Sequence, residues 1–182
     1  MAEAFSNKLT RAAGIVTTSS SGSVGVTTTI ITGISTVGVA VSDLVDNANF
    51  IAGTKVTGYG AAASQVVVDQ TSTNTSAVSG SAIVNFLGMT TAYTSAAATK
   101  SILIGGTFAN NTNSQVNLTV EIHDASAGIQ AAIASKIPVP TGSSFVISDA
   151  GKTVLETGDE VRVFCDTANA IDVNLSILTG VS

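Results

Sequence analysis

The sequence is poor in the side chains that carry most protein chemistry. Its 182 residues include one histidine, one cysteine and no tryptophan, and only 10% of them are charged. A lone cysteine excludes an internal disulfide, and a lone histidine restricts any Ser-His-Asp or Cys-His arrangement to one side chain. With so few charges, the surface must consist mainly of Ser, Thr, Asn and Gly, which protect poorly against self-association. We therefore expect a non-enzymatic subunit that packs against other protein.

Charge and hydropathy argue against two further classes of partner. The net charge is −5, and the seven Lys and Arg residues are scattered along the chain. A nucleic-acid-binding protein needs a clustered basic surface to displace counterions. The sequence has no run of about 18 apolar residues, which a membrane-spanning helix would require. We expect no nucleic-acid partner and no membrane insertion, and we expect the chain to fold in a reducing cytoplasm.

The two reactive side chains stand at positions typical of structural residues. His123 belongs to the polar, outward set of an alternating strand and precedes Asp124 in the following turn. Cys165 belongs to the apolar, inward set of another such strand. We therefore expect a surface or interface histidine and a small buried thiol, and no catalytic residue.

Two oxygen-rich stretches are the remaining candidates for a metal site. The first lacks the alternating acidic positions, the glycine and the later glutamate of an EF-hand loop. The second borders a turn, where carboxylates commonly cap backbone N–H groups. Their members are Asp43, Asp46, Asn47 and Asn49 in the first stretch, and Glu156, Asp159 and Glu160 in the second. We expect turn capping from both stretches, and neither a metal nor another cofactor.

Hydrophobic residues recur with a period of two, which is the signature of β-strands. Apolar and polar residues alternate in Gln115–Asp124, and the pattern returns in Glu160–Cys165 and Ile171–Ile177. Such alternation is typical of antiparallel strands with one buried face. Ala125–Ser135 has the composition of a short helix, but Gly128 and the β-branched residues of this segment favour strand or loop. The sequence thus predicts an all-β fold.

Turn-forming stretches divide the chain into two β-rich halves. After about residue 90, roughly seven short strands follow one another at the spacing of a β-sandwich. The strands before that point are less regular, and the small, polar segment Met89–Thr99 indicates a joint. We therefore expect two small antiparallel β-sandwich or jelly-roll-like domains, residues 14–89 and residues 90–182.

The first residues of the chain, 1–13, are the best candidate for a short N-terminal arm or a helix. Phe5 and Leu9 lie four residues apart, which places them on one face of a helix, and Arg11 follows them. We expect this arm to dock on a neighbouring subunit through these three residues. We also expect its removal to abolish assembly while leaving the sandwich folded.

Two stretches of the first half resemble a β module that recurs in phage virion proteins. That module joins a GxxVGDxV strand to an IPAGTxVTxI strand, and the chain has Ile34–Val45 and then Phe50–Gly58 at these positions. Ser42 replaces the usual glycine before Asp43, and Phe-Ile-Ala replaces Ile-Pro-Ala at the start of the second strand. The resemblance implies a β module and assigns no site residues.

Four stretches of the second half are similar to a small β-sandwich found in many tailed-phage structural proteins, notably those of marine cyanophages. They read TKSILIG, VEIHDASAG, PVPTGSS and VLETGDEV, at residues 99–105, 120–128, 138–144 and 154–161. This similarity covers about half of the chain. It marks strands and turns, so it implies a structural class and no catalytic group.

The resemblance implies a virion structural protein that is made in the host cytoplasm, forms homo-oligomers and contacts other capsid, neck or tail proteins. A decoration or cement protein on the exterior of the capsid is the first interpretation. A neck, tail or fibre-adaptor component is the second. A host-surface or glycan-binding module is the third, and the aromatic content of 4% argues against it, because it leaves few rings for sugars to stack on.

Overall fold

The structure is a computed structural model that describes residues 3–148 and 152–181. Within these residues all regular elements are β-strands, which confirms the all-β fold, and no helix that could cross a membrane is found. The strands are β1 (Ala4–Thr10), β2 (Ile15–Val24), β3 (Ile30–Thr32), β4 (Leu44–Asp46), β5 (Val56–Tyr59), β6 (Gln65–Val68), β7 (Val78–Leu87), β8 (Thr90–Thr94), β9 (Lys100–Asn110), β10 (Val116–Asp124), β11 (Ile129–Val139), β12 (Ser144–Ile147), β13 (Thr153–Leu155), β14 (Glu160–Cys165) and β15 (Ile171–Val181).

The chain divides into two compact units. One unit combines both ends of the chain with its second half, and it comprises Met1–Gly14, Met89–Cys165 and Asn169–Ser182. The other unit comprises Ile15–Gly88 with Asp166–Ala168. The second unit is thus an insertion between the first two strands of the first, β1 and β8.

The first unit is a jelly roll. Its five-stranded sheet has the order β1-β15-β9-β12, with β13 also paired to β9, and its four-stranded sheet has the order β11-β10-β14-β8. The strands of this unit can be renumbered 1 to 8 in chain order, as β1, β8, β9, β10, β11, the pair β12 and β13 counted as one strand, β14 and β15. In these numbers the two sheet orders are 1-8-3-6 and 5-4-7-2. That is the strand order of a jelly roll, a double-sheet arrangement of eight strands in two Greek keys.

Alternating side chains fill the jelly-roll core. Leu118 on β10, Val163 on β14 and Leu175 on β15 are fully buried, and they belong to one apolar cluster that also includes Phe108 of β9. Cys165 is fully buried in the same cluster, as the alternation predicts. Full burial of side chains of this size contributes about 1.5–3 kcal/mol each.

The second unit is one six-stranded sheet whose ends meet. The strand order is β4-β7-β2-β3-β6-β5. Val45 N–H donates to the Thr54 carbonyl at 2.8 Å, and Val56 N–H donates to the Asp43 carbonyl at 2.9 Å, so the first and last strands are joined. This unit is therefore a small closed barrel, and it has its own core around Phe86. Closure removes the open sheet edges that invite pairing with other chains.

The N-terminal segment does not form the helix that the Phe5–Leu9 spacing suggested. Residues 4–10 form strand β1, which pairs antiparallel with β15 from Ala4↔Thr179 to Thr10↔Val173. A spacing of four also puts two residues on one face of a strand, and the edge of β15 offers unpaired backbone groups that β1 satisfies. The expectation of an arm separate from the sandwich is therefore wrong for residues 4–10, while residues 1 and 2 lie outside the described residues.

Two further expectations about local structure are settled. Ala125–Ser135 lies largely in β11, an edge strand, which confirms strand over helix. The expected joint Met89–Thr99 contains β8, which pairs with β14. The chain passes from the second unit to the first at Gly88–Met89, where this segment begins, and its small polar residues then enter an edge strand.

Because β1 is part of the jelly roll, we predict that removing residues 1–10 will destabilise this unit. The pairing of seven residues on each strand implies about six backbone hydrogen bonds. At about 1 kcal/mol each, their loss should lower the free energy of unfolding by on the order of 6 kcal/mol. Chemical denaturation followed by circular dichroism measures this change. The matched control replaces the exposed Phe5 and Leu9 with Ser and leaves the strand paired, so it should lose much less stability than the truncated chain does. Unchanged stability of the truncated chain would show that β1 is a dispensable arm.

Candidate functional site

An apolar row crosses the outer face of the five-stranded sheet. Cross-strand pairs place Phe5 beside Leu178, Leu178 beside Ile102, and Ile102 beside Val154. Directly opposite residues lie on the same face of a sheet, and the neighbours Leu103, Leu155 and Ile177 are the inward, fully buried ones. Phe5 is 77% exposed and Val154 is 56% exposed. Four strands thus present a continuous row of hydrocarbon to the surroundings.

A second row lies further along the same face. Leu9 pairs with Asn174, Asn174 with Thr107, and Thr107 with Val146. Its two ends are apolar and exposed, since Leu9 is 74% and Val146 55% accessible.

The row between these two is low. It consists of Asn7, Ser176 and Gly105, which are paired across β1, β15 and β9. A Cβ atom on Gly105 would come within 2.9 Å of the Ile147 carbonyl oxygen, so this position needs glycine. A hollow of about 300 Å³ opens beside Phe5, Asn7 and Ser176. The face therefore has one apolar row, a second row with apolar ends, and a depression between the two.

Charged groups stand at the two ends of this face and not within it. Arg11 Nε lies 3.9 Å from Asp172 Oδ2 at one end, and Lys100 Nζ lies 3.1 Å from Glu156 Oε1 at the other. Between the two pairs, the fully described strands β1, β15 and β9 have no charged side chain on their outward positions. Lys152, just before β13, is exposed at the margin.

The four-stranded sheet carries a cluster of charged side chains, and its edge strand β11 exposes Ile129 and Ile133. Arg162 Nε donates to Glu160 Oε2 at 2.6 Å, and Arg162 Nη2 lies 3.1 Å from His123 Nδ1. Glu121 is the cross-strand partner of Arg162. His123 is thus on the polar side of its strand, as the alternation predicts. Cys165, the other reactive side chain, faces the core on the opposite side of the sheet.

The first oxygen-rich stretch is used for turns. Asp43 Oδ2 accepts the Ala40 N–H at 2.7 Å, and Asn47 Oδ1 accepts the Asn49 N–H at 2.9 Å. Asp46 Oδ2 instead accepts Asn85 Nδ2 on the neighbouring strand, at 3.1 Å. These oxygens therefore satisfy different local donors.

The carboxylates of the second oxygen-rich stretch lie at one turn, but each has different partners. Asp159 is 6% exposed, and its carboxylate accepts the N–H groups of Glu156 at 2.8 Å and Ala125 at 3.0 Å. Glu156 and Glu160 point to their separate partners, Lys100 and Arg162. Across residues 3–148 and 152–181, no three His, Cys, Asp or Glu side chains are grouped in a way that would hold a metal ion.

The structure brings together two of the three residues that the sequence assigned to an assembly arm. Phe5 and Leu9 project from the same face, while Arg11 lies at its end beside Asp172. Their assembly role stays a prediction. The sequence did not predict that apolar residues of β15, β9, β13 and β12 lie in the same rows as Phe5 and Leu9. A signal was present, because apolar runs such as Ile102-Leu103-Ile104 do not alternate and so make both faces of a strand apolar.

Asp43 gives a test of the barrel. Partial burial raises the pKa of Asp43, and the hydrogen bond from Ala40 N–H offsets part of that rise. The folded barrel therefore holds this proton more tightly than the unfolded chain, whose value is 3.8. Its contribution to stability is present below that pH and is lost as the pH rises through the folded pKa.

We accordingly predict that Asp43→Asn will raise the melting temperature of the barrel at pH 7 and leave it unchanged at about pH 3, where Asp43 is already protonated. Thermal unfolding at the two pH values measures the difference. An equal gain at both would mean that the carboxylate charge is not the cause.

Comparison with known proteins provides no relative from which a function could be inferred, so function is inferred from the two rows and their surroundings. No protein-family model, no curated protein and no solved structure matches the chain.

Proposed function

We propose that this protein is a non-enzymatic structural subunit of a tailed-phage virion, and that it decorates or cements the exterior of the capsid. The observation that carries the proposal is the row of Phe5, Leu178, Ile102 and Val154, an apolar row whose two ends are exposed and whose two central side chains are half-buried. Contiguous exposed apolar patches mark interaction surfaces in soluble proteins. A subunit that is held in a particle covers such a patch permanently.

The composition of the surface supports assembly as well. Ser, Thr, Asn and Gly cover most of a chain that is 10% charged. Neutral surfaces form many weak contacts without charge repulsion, and such contacts add up when subunits are multivalent. The few charges of the jelly roll that form a cluster, around Arg162 and Glu160, lie on the sheet that lacks the apolar rows.

The fold is compatible with this role and does not by itself select it. Jelly rolls build viral capsid proteins and also lectins, and a fold hosts many functions. The phage part of the proposal rests on the similarity of residues 99–105, 120–128, 138–144 and 154–161 to tailed-phage structural proteins.

A neck, tail or fibre-adaptor component is the second candidate, because the same apolar face would serve a connector equally well. Glycan binding is less favoured. Tyr59 of the barrel is 56% exposed, but its hydroxyl donates to the Val39 carbonyl at 2.5 Å, and Tyr93 is buried. Among the described residues, Phe5 and Tyr59 are the exposed aromatic rings, which leaves few rings to stack on a sugar.

We predict that the purified protein will bind capsids that lack decoration and will raise the temperature at which they rupture. Co-sedimentation and dye-detected DNA release measure the two effects. Replacing Phe5 and Leu9 with Ser should weaken retention on capsids at least about tenfold, because it removes two apolar contacts between neighbouring subunits, and subunits that hold one another stay on a particle longer. Ile83→Ser, at a 61% exposed position on the barrel, is the matched control and should bind normally.

The other outcomes of this experiment separate the candidates. Binding to tails or connectors in place of capsids would move the protein to the neck or tail. Binding to none of these particles would contradict the virion role.

A further inference from the structure

We infer that the outer face of the five-stranded sheet packs against the same face of a second copy of this chain, related by a two-fold axis. The inference rests on the proposed structural role and names the partner of that surface. Three properties of the face support it: its area, its charge and its relief.

The area matches that of a stable dimer. Four strands lie abreast, β1, β15, β9 and the interrupted β12–β13, and the longest of them have 11 residues. β1 contributes seven residues, β15 and β9 eleven each, and β12 and β13 four and three. With strands about 4.8 Å apart and about 3.4 Å per residue, these strands cover about 600 Å². Stable specific interfaces begin at about 600 Å² per partner, so one face opposed by its copy, at the usual distance of about 10 Å between packed sheets, reaches that range.

The charge distribution favours a copy over a differently charged partner. The chain has a net charge of −5, so two copies repel each other unless their charges are kept from the contact. On this face, each end carries a neutralising pair, Arg11 with Asp172 and Lys100 with Glu156. A partner recognised by charge would need complementary groups within the face, and β1, β15 and β9 present none between those pairs. The occupant that fits is as neutral and apolar as the face itself.

The relief of the face is suited to self-packing. Phe5 stands out from β1 at 77% exposure, next to the depression along Asn7, Ser176 and Gly105. A two-fold interface is isologous, which means that the same surface of both copies takes part and that every contact occurs twice. A protrusion on one copy can therefore fit a recess on the other, and the same fit is repeated in the opposite direction. Burying Phe5 and Leu9 in this way removes the two most exposed hydrophobic side chains of the jelly roll from water.

The test is the mass of the full chain in solution, without particles. Light scattering coupled to size exclusion should give twice the 18.1 kDa of the monomer. Phe5→Ser with Leu9→Ser should weaken dimerisation at least about 100-fold. Val154→Lys, which puts a charge in the same row on the far strand, should also give a monomer. Ile83→Ser should remain a dimer, and a cooperative denaturation transition would show that each variant is folded.

The results that overturn this inference are distinct from those that overturn the proposed function. A wild-type monomer at about 100 µM, a dimer indifferent to both face variants, or a trimer would each overturn the two-fold packing. A monomer that still binds capsids would overturn only the dimer. A dimer that is sensitive to both variants but binds no particle would support the inference and contradict the decoration role.

Discussion

The pairing of the first strand with the last is the contact on which the jelly-roll unit depends. β1 lies along β15 over seven residues, from Ala4 to Thr10, and so satisfies an edge that would otherwise expose backbone N–H and C=O groups. The same pairing brings Phe5 and Leu9 into register with Leu178 and Asn174. The integrity of the sheet and the composition of its outer face are therefore set by one interaction. A change that separates the two strands alters both.

The two sheets of the jelly roll divide the polar and apolar surface between them. His123, Glu160 and Arg162 form a hydrogen-bonded cluster on the four-stranded sheet, and the outer face of the five-stranded sheet is hydrocarbon, amide and hydroxyl. A chain with few charges has little means of keeping a whole surface soluble. Gathering those charges on one sheet leaves the other sheet available for contact with protein.

Local alternation in the sequence was enough to predict burial, and it was not enough to predict partners. The inward positions of β10, β14 and β15, including Cys165, follow from a period of two because that period is a property of each strand alone. The strand that the virion-module resemblance implies over Ile34–Val45 is limited to β4 at its end, because Gly38 and Ser42 adopt φ of 77° and 79° and the segment turns. The β1–β15 pairing joins residues up to 175 positions apart, and no local pattern reports such a contact. The apolar rows were missed for the same reason, since each takes one side chain from each of four strands.

The insertion of a whole barrel between β1 and β8 has a consequence for how the chain is made. β1 leaves the ribosome before its partner β15, which follows about 160 residues later. At about 5–20 residues per second, β1 waits roughly 10–30 s with Phe5 and Leu9 unpaired. The barrel, which has its own core and closes on itself, is complete well before then. The rate of translation therefore determines how long the nascent chain exposes the unpaired strand β1. Slow synthesis at high expression favours aggregation before β15 pairs with β1 and completes the jelly roll.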